Sequence, residues 1–355
     1  MSASPSTARG PATLDRGIGT PASTARIDRT AGGLGLGATP RDLIYAHGTS
    51  RLYRYRPLGD EVYRVPLLFV MSLITRPYIL DLLPGQSLIE YLLQRGYDVY
   101  LIDWGIPRAE DAHLTLEDYV LEFLPECVSQ VQRQTNETDV NVVGYCLGGL
   151  LAVLHEALQP ESPVCNLVCL TTPVDFTELT LFARWSQRSA FDVDRLIATL
   201  GNVPPQLLQG AFEMLRPAQR LAARARSMSE RGNSDALTAP LAIEHWARDH
   251  IPFPGACFKQ VTERLLQGNE LVRGTFTLAG RSADLGAVRL PLLHVMAEHD
   301  HIVPPASGRP LVQLVGSKET EEFVLKGGHV SLIAGANARH RLWPRLDRWL
   351  SVRSA

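Results

Sequence analysis

The chain has 355 residues, of which 45% are hydrophobic and 20% charged, an ordinary composition for one large globular domain or two small ones. Its 35 Lys and Arg residues nearly balance its 37 Asp and Glu residues, which argues against binding to nucleic acid or anionic lipid through overall charge. We find no apolar stretch long enough for a transmembrane helix and no secretion signal. Five scattered cysteines argue against a disulfide framework and predict a cytoplasmic protein.

Residues 1–40 are rich in Ser, Thr, Ala, Gly, Pro and Arg and show no apolar periodicity. This composition predicts a disordered leader. A mitochondrial transit peptide is the alternative, because the only acidic residues in this range are Asp15 and Asp28. The lack of an amphipathic apolar face argues against that alternative.

From about residue 42 the pattern becomes that of an α/β protein. Short apolar runs, typical of strands buried on both faces, alternate with segments of helical pattern. The pattern predicts strands at 66–73, 98–103, 140–144 and 166–171, and helices at 87–94, 116–133 and 148–158. This alternation predicts a mostly parallel, doubly wound sheet.

The pattern changes between residues 176 and 285, which are mostly helical in period and include a polar, basic piece at 216–231. We interpret 176–285 as a mainly helical cap inserted into a core formed by 41–175 and 286–355. The α/β pattern resumes with predicted strands at 291–297 and 321–325 and a final helix at 339–350.

A Gly-x-Cys-x-Gly motif, Gly144 to Gly148, lies between a predicted strand and a predicted helix. This is the setting of the nucleophile elbow of α/β-hydrolases, in which glycines relieve crowding around a strained turn. The nucleophile is Cys146 rather than serine, and the helix N-terminus favours its thiolate. The alternative is that the motif arose by chance and Cys146 is a small core residue.

The other members of a catalytic triad follow in the order acid, then base. Asp300 comes after the strand 291–297 and His329 after the strand 321–325, so both are expected at the same sheet edge as Cys146. Asp175 is a reserve candidate for the acid. For the oxyanion hole we expect the backbone amides of Leu147 and of Leu73, which lies in the loop after the first buried strand.

The remaining histidines have simpler interpretations. His155 and His294 are expected to be structural, and His245 and His250 to lie on the surface of the cap. His294, His299 and His301 together raise the alternative of a metal site. The consecutive residues 299–301 cannot all converge on one ion, and no further ligand has suitable spacing, so we expect no metal.

A thiol nucleophile favours acyl transfer over hydrolysis. The acyl-enzyme is a thioester, so moving the acyl group from an acyl-CoA to the thiol exchanges one thioester for another and is nearly balanced in free energy. Transfer of the acyl group from the thiol to a hydroxyl forms an ester and is favourable. His329 would take the thiol proton and then deprotonate the accepting hydroxyl. Asp300 would fix the imidazole tautomer, and a cap would exclude water.

The chain resembles the poly(3-hydroxyalkanoate) synthase family, and in particular its short class III catalytic subunit. The resemblance covers residues 39–175 and 270–350 and is carried by Thr39–Pro40, Ile44–Tyr45, Leu52–Pro57, Arg76–Leu82, Val99–Gly105, Gly144–Gly149, Asp300–Pro305 and Gly327–Val330.

This resemblance implies an α/β-hydrolase fold and a Cys–Asp–His triad formed by Cys146, Asp300 and His329. It implies 3-hydroxyacyl-CoA as the substrate, release of CoA, growth of a polyester chain and no separate cofactor. It further implies a second synthase subunit and association with storage granules in the cytoplasm, and we expect a homo-oligomer.

The chain also departs from the family pattern. Thr75 stands where the family usually has Asn, and Ser331 stands where it often has Gly. The nearest match to the family's Trp-Asn-x-Asp segment is 231–235, which lacks the Trp. The alternatives left open are a Cys-dependent hydrolase or CoA thioesterase, a synthase-like acyltransferase that does not polymerise, and a non-enzymatic scaffold of the storage granule.

Overall fold

An eight-stranded sheet forms the centre of the computed structural model, which describes residues 35–187, 189, 191–215 and 239–355. Its strands lie in the order β1-β2-β4-β3-β5-β6-β9-β10. Strand β2 pairs antiparallel with both of its neighbours, β1 and β4, and all the other neighbouring strands pair parallel. The strands are β1 Arg41–His47, β2 Ser50–Tyr55, β3 Leu67–Val70, β4 Val99–Asp103, β5 Val140–Tyr145, β6 Val164–Leu170, β9 Leu292–Ala297 and β10 Thr320–Leu325.

Helices cover the sheet and fill the connections between its strands. The α-helices are α1 Leu88–Gln94, α2 Leu124–Thr135, α3 Leu147–Leu158, α4 Thr180–Trp185, α5 Val193–Leu200, α6 Pro205–Met214, α7 Ala239–Trp246, α8 Gly255–Gln260, α9 Pro305–Gly308, α10 Leu311–Leu314, α11 His329–Ile333, α12 Gly335–Arg341 and α13 Trp343–Ser351. Single π-helical stretches, Asp118–Phe123 and Val261–Gln267, adjoin α2 and α8. Short 3₁₀ helices occur at Pro77–Leu80, Ala109–His113, Phe176–Glu178 and Leu285–Ala287.

The fold class and the parallel strands predicted from the sequence are confirmed. The predicted single helix at 339–350 is wrong, because the helix ends at Arg341 and a new one begins at Trp343. Pro344 stands in the first turn of α13; it has no N–H to donate and so cannot extend the preceding helix. The antiparallel pair β1 and β2 was not predicted, since its polar residues interrupt the apolar pattern.

The predicted leader, residues 1–40, is only partly covered by the described residues. Its last residues contact the core: Leu36 is 9% exposed, and Gly37 N–H donates to the Asp81 carbonyl at 2.8 Å. Thr39 donates to the Asp81 carboxylate through its amide at 3.0 Å and its hydroxyl at 2.6 Å. These hydrogen bonds to Asp81 attach residues 37–39 to the core, while the disordered leader stays a prediction.

The predicted cap contributes helices α4 to α8 and a small hairpin between β6 and β9. The hairpin strands are β7 Thr277–Leu278 and β8 Arg281–Ser282. The basic piece at 216–231 lies outside the described residues. The mainly helical character of the segment agrees with the prediction, while its division from the core as a separate cap stays a prediction.

Helix α3 packs directly on the sheet because three glycines lie at the contact. A Cβ added to Gly148 would overlap the Val70 carbonyl oxygen, and one added to Gly149 would overlap the Thr172 hydroxyl. A Cβ on Gly144 would overlap the backbone of Gly149. These overlaps mean that any larger side chain would push the start of α3 away from the sheet.

We expect Gly148→Ala to lower the free energy of unfolding by about 3 kcal/mol or more, because the backbone of Val70 and Met71 cannot move aside. Gly210→Ala is the matched control: Gly210 lies within α6 and a Cβ there meets nothing within 4 Å. This control should raise stability by up to about 1 kcal/mol. Urea denaturation measures both, and equal stabilities of the two variants would contradict the packing argument.

Candidate active site

Cys146 occupies the tight turn between β5 and α3. Its backbone has φ 55° and ψ −122°, a region that L-residues rarely adopt. Its N–H donates to the Leu170 carbonyl at 2.9 Å, and its carbonyl accepts from Gly149 N–H at 3.0 Å. These bonds hold the turn on both sides, so the thiol is presented at the carboxyl edge of the sheet, as the elbow motif predicts.

Asp300 and His329 are brought together at the same edge. Asp300 follows β9, and His329 is the first residue of α11 after β10. His329 Nδ1 lies 2.7 Å from Asp300 Oδ2. The other oxygen, Oδ1, accepts the N–H groups of Ile302 and Val303, each at 2.8 Å. With both oxygens engaged and the residue 4% exposed, the carboxylate has a fixed orientation.

The loop that carries His329 is held by its own hydrogen bonds. His299 N–H donates to the Gly327 carbonyl at 2.9 Å and so joins the loops after β9 and β10. Gly327 has φ 145°, a conformation that favours glycine. Ser331 Oγ accepts from Gly328 N–H at 2.8 Å and caps α11. The imidazole is therefore positioned by its backbone.

The imidazole of His329 links the acid to the thiol. Because Nδ1 engages Asp300, the nitrogen left for the thiol of Cys146, which lines the same pocket, is Nε2. Burial by itself would lower the pKa of His329, but the charge of Asp300, the charge of Cys146 and the hydrogen bond to Asp300 raise it above its ordinary value. The site therefore favours a protonated imidazole.

The predicted oxyanion donors lie close to this site. Leu147 is the first residue of α3, where a backbone N–H has no acceptor within the helix. Leu73 is buried in the loop after β3, and its neighbours Ser72, Ile74 and Thr75 line the space beside Cys146. The roles of these two amides stay predictions.

The reserve acid Asp175 lies elsewhere and has a structural use. Its carboxylate accepts from Thr177 N–H at 3.0 Å and from Asn269 Nδ2 at 2.9 Å. These bonds cap a short helix and join it to the end of the inserted segment. Asp300 is therefore the carboxylate that the structure places on His329.

Two of the other histidines have the expected structural positions. His294 is fully buried on β9, 3.6 Å from Glu322. His155 is buried in α3, 3.1 Å from the Val120 carbonyl and 3.2 Å from Ser162 Oγ. Within the described residues, no group of three or more His, Cys, Asp or Glu side chains is arranged to hold a metal ion.

A pocket of about 100 Å³ opens beside the thiol and is called here the catalytic pocket. Two parts of the chain form its walls. The sheet edge contributes Ser72, Ile74, Thr75, Tyr145, Cys146, Ile302, His329 and Val330. The inserted segment contributes Phe212, Trp246, Ala247 and His250. His250 was predicted to lie on the surface of the cap; it is partly buried and lines this pocket. No local signal in the sequence marks it, because it reaches the pocket only through the folding of the inserted segment.

Comparison with known proteins places this geometry in a family. Residues 77–336 match the model of the alpha/beta hydrolase fold, and residues 19–92 match the poly-beta-hydroxybutyrate polymerase (PhaC) N-terminus. The poly(3-hydroxyalkanoate) polymerase subunit PhaC of Allochromatium vinosum is 35% identical over 89% of this chain and 90% of its own. That of Haloferax mediterranei is 33% identical over 94% of this chain and 68% of its own. The chain belongs to the poly(3-hydroxyalkanoate) polymerase PhaC family.

Solved structures agree on the fold. An esterase from Thermogutta terrifontis covers 89% of this chain and 100% of its own with a TM-score of 0.52 at 14% identity. An enol-lactonase from Burkholderia xenovorans covers 88% of this chain and 100% of its own with a TM-score of 0.51 at 14% identity. At such low identity these matches show the α/β-hydrolase fold alone.

The structure also bears on the Trp-Asn-x-Asp segment of the PhaC family. The range matched to it from the sequence, 231–235, lies outside the described residues. Trp246 and Asp249 have the same spacing, and Trp246 lines the catalytic pocket. Its Nε1 donates to the Arg76 carbonyl at 2.6 Å, and Asp249 Oδ2 accepts from Tyr78 O–H at 3.0 Å. The Trp-x-x-Asp spacing at 246–249 is the signal that the sequence analysis missed.

The charges around His329 predict how its pKa responds to substitution. Removing the sulfur with Cys146→Ala, or the carboxylate charge with Asp300→Asn, takes away a cause that raises the pKa of His329, so this pKa should fall in each variant. In the double variant, burial is the one remaining cause of those named, and it lowers the pKa. The pKa of His329 should therefore lie below that of a free histidine. NMR of the imidazole resonances across a pH titration measures this.

His155 serves as the internal control for the titration. Burial lowers its pKa to about 4, and it contacts neither Cys146 nor Asp300, so its titration should not change in any variant. An unchanged pKa of His329 in both single variants would show that the thiol and the carboxylate do not act on it.

Proposed function

We propose that this chain is an acyltransferase that polymerises 3-hydroxyacyl groups, taking them from CoA onto Cys146 and passing them to the hydroxyl end of a polyester. The observation that carries the proposal is the buried alignment of Cys146, His329 and Asp300 in a chain of the PhaC family. The relatives are named as poly(3-hydroxyalkanoate) polymerase subunits, and the site has the groups that such a transfer needs.

The first step loads the enzyme. The Cys146 thiolate attacks the thioester carbonyl of a 3-hydroxyacyl-CoA, and the resulting oxyanion is stabilised by backbone N–H groups, for which Leu147 and Leu73 are the candidates. The intermediate collapses with cleavage of the bond to the CoA sulfur, which leaves with the proton of His329. The acyl group is then held on Cys146 as a thioester, and His329 is neutral.

The second step transfers the acyl group. A hydroxyl attacks the Cys146 thioester while His329 takes its proton, an ester bond forms, and the sulfur leaves as thiolate. Asp300 stabilises the imidazolium that results and keeps Nε2 directed at the sulfur. The starting pair of thiolate and imidazolium is thereby restored, and no cofactor is needed.

The shape of the site favours transfer to an alcohol over hydrolysis. Cys146 is 9% exposed and His329 is 8% exposed, and residues of the inserted segment close one side of the pocket. Shielding of the thioester lowers its exposure to water, which would release a free acid. A thioesterase with the same triad would gain nothing from this shielding.

Two broader features belong to the same proposal. The family resemblance supports a second synthase subunit and a site of action on polyester granules in the cytoplasm, with the chain as a homo-oligomer. In the described part of the chain, no helix has the length and apolar character needed to cross a bilayer.

Mass spectrometry of the intact protein tests the proposal. After incubation with 3-hydroxybutyryl-CoA, we expect free CoA, an adduct of one acyl unit at Cys146 during turnover, and a polyester product whose mass grows by repeat units. Cys146→Ala should form no adduct, because none of the other cysteines touches His329 in the described residues. Cys165→Ala, a change at a partly buried cysteine of β6, is the matched control and should retain the adduct.

Each competing function gives a different result in this experiment. Free 3-hydroxybutyrate without a polyester product would indicate a thioesterase. Transfer of a single acyl unit from Cys146 to a hydroxyl, with no longer product, would indicate an acyltransferase that does not polymerise. Full function of Cys146→Ala would indicate a scaffold.

Phe212 separates the catalytic pocket from a larger apolar cavity in the inserted segment. This cavity has a volume of about 340 Å³, and Phe212 lines both spaces. The catalytic pocket, at about 100 Å³, has less than a third of the volume of the larger cavity. We therefore propose that the ring of Phe212 limits the acyl group to a short chain.

Phe212→Ala should join the two spaces and raise the rate of acylation by 3-hydroxyoctanoyl-CoA, relative to 3-hydroxybutyryl-CoA, by about tenfold or more. Phe182→Ala is the control, since Phe182 lines the larger cavity and does not line the catalytic pocket. CoA release in a single turnover measures both rates. A ratio that changes equally in the two variants would show that Phe212 is not the barrier.

A further inference from the structure

Three polar atoms in the wall of the catalytic pocket are buried without a hydrogen-bond partner among the described residues. They are Ser72 Oγ, Thr75 Oγ1 and His250 Nδ1. None of them takes part in the triad. We call these three side chains the polar corner. The rest of the wall around them is mainly apolar, with Ile74, Phe212, Trp246 and Ile302 as its large side chains.

Backbone pairing brings the polar corner together from distant parts of the chain. Thr75 and His250 form an antiparallel β-bridge, and Ile251 N–H donates to the Ile74 carbonyl at 3.2 Å. Residues directly opposite each other in such a bridge carry their side chains on the same side, about 5 Å apart. The β-bridge therefore places the side chains of Thr75 and His250 next to each other. Ser72 lies three residues before Thr75 in the loop after β3.

An unpartnered polar atom in a folded interior costs free energy, about 1–3 kcal/mol for each group. Nearly all buried polar atoms in proteins have a partner, so a group of three in one pocket indicates a binding site for a polar group of a ligand. The partner must fit beside Cys146 in the space of the catalytic pocket.

The chemistry of the polar corner selects a neutral hydroxyl. Burial lowers the pKa of His250, against the opposing charge of the adjacent Asp249, so the imidazole is neutral near pH 7. The guanidinium of Arg76, on the same loop as Thr75, lies 3.8 Å from Asp249, and His329 is engaged by Asp300. Two hydroxyls and a neutral imidazole both donate and accept hydrogen bonds, as a hydroxyl does, whereas a carboxylate or phosphate would need a cation.

We propose that the polar corner binds the 3-hydroxyl of the acyl group that is loaded onto Cys146, and so selects 3-hydroxyacyl thioesters over analogues without the hydroxyl. This rests on the proposed function. The thioester carbonyl lies at Cys146, and the 3-hydroxyl stands two carbons further along the chain, on the side of the pocket away from the leaving CoA. Thr75, His250 and Ser72 are specificity-determining residues in this arrangement.

The test compares two thioesters that differ only in the hydroxyl. Single-turnover acylation of Cys146 is followed by CoA release and by intact mass, with 3-hydroxybutyryl-CoA and with butyryl-CoA. The wild type should prefer the hydroxylated thioester. Thr75→Val and His250→Leu, and to a lesser degree Ser72→Ala, should lower this preference by about five- to tenfold, the effect of one lost hydrogen bond. Thr75→Ser keeps the hydroxyl and should keep the preference.

The ratio of the two rates within one variant does not depend on how much of the variant is folded, so partial unfolding does not mask the result. Thr262→Val is the matched control: its hydroxyl is also buried and unpartnered in the described residues, but it lies at the larger apolar cavity. This variant should keep the wild-type ratio.

The possible failures are separable. A ratio within twofold of the wild type in Thr75→Val, His250→Leu and Ser72→Ala would overturn the inference and leave the proposed function intact. Equal loss of preference in Thr262→Val would also overturn it, because the effect would not be specific to the polar corner. Absence of any acyl adduct with both thioesters in the wild type would overturn the proposed function and the inference with it.

Discussion

The site depends on the close contact between helix α3 and the sheet. Gly144, Gly148 and Gly149 have no room for a Cβ, and their small size lets the helix start directly above the strand ends. Only in that position can Cys146 adopt its left-handed turn and face His329. The same contact places the N-terminus of α3 directly after Cys146. One packing constraint therefore sets the position of the thiol proposed as the nucleophile.

The catalytic pocket is built by two parts of the chain with different tasks. The sheet edge supplies the triad, and the inserted segment supplies the opposite wall. The two are joined at the loop after β3, where Trp246 binds the Arg76 carbonyl and Thr75 pairs with His250. Because the candidate oxyanion donor Leu73 lies on this same loop, the position of the wall and that of the reacting carbonyl are coupled.

Positions where the chain departs from the family pattern have structural uses here. Ser331 caps α11 through the Gly328 amide and so supports the backbone of His329. Thr75 presents a hydroxyl to the pocket instead of the amide of Asn, next to an imidazole from the inserted segment. Thr75 changes the wall of the pocket, and within the described residues neither Thr75 nor Ser331 forms a hydrogen bond to Cys146, Asp300 or the His329 ring.

The alternating strands and helices, the elbow at Cys146 and the order in which Asp300 and His329 follow it could be predicted from the sequence. These features depend on short-range spacing and on the rule that parallel strands end at one sheet edge, so no long-range contact is needed to predict them. The folded structure was needed to show that His250 lines the pocket and that Leu36 and Thr39 join the core. Those contacts connect residues far apart in the chain, and burial against a distant partner leaves no periodic pattern in the local sequence.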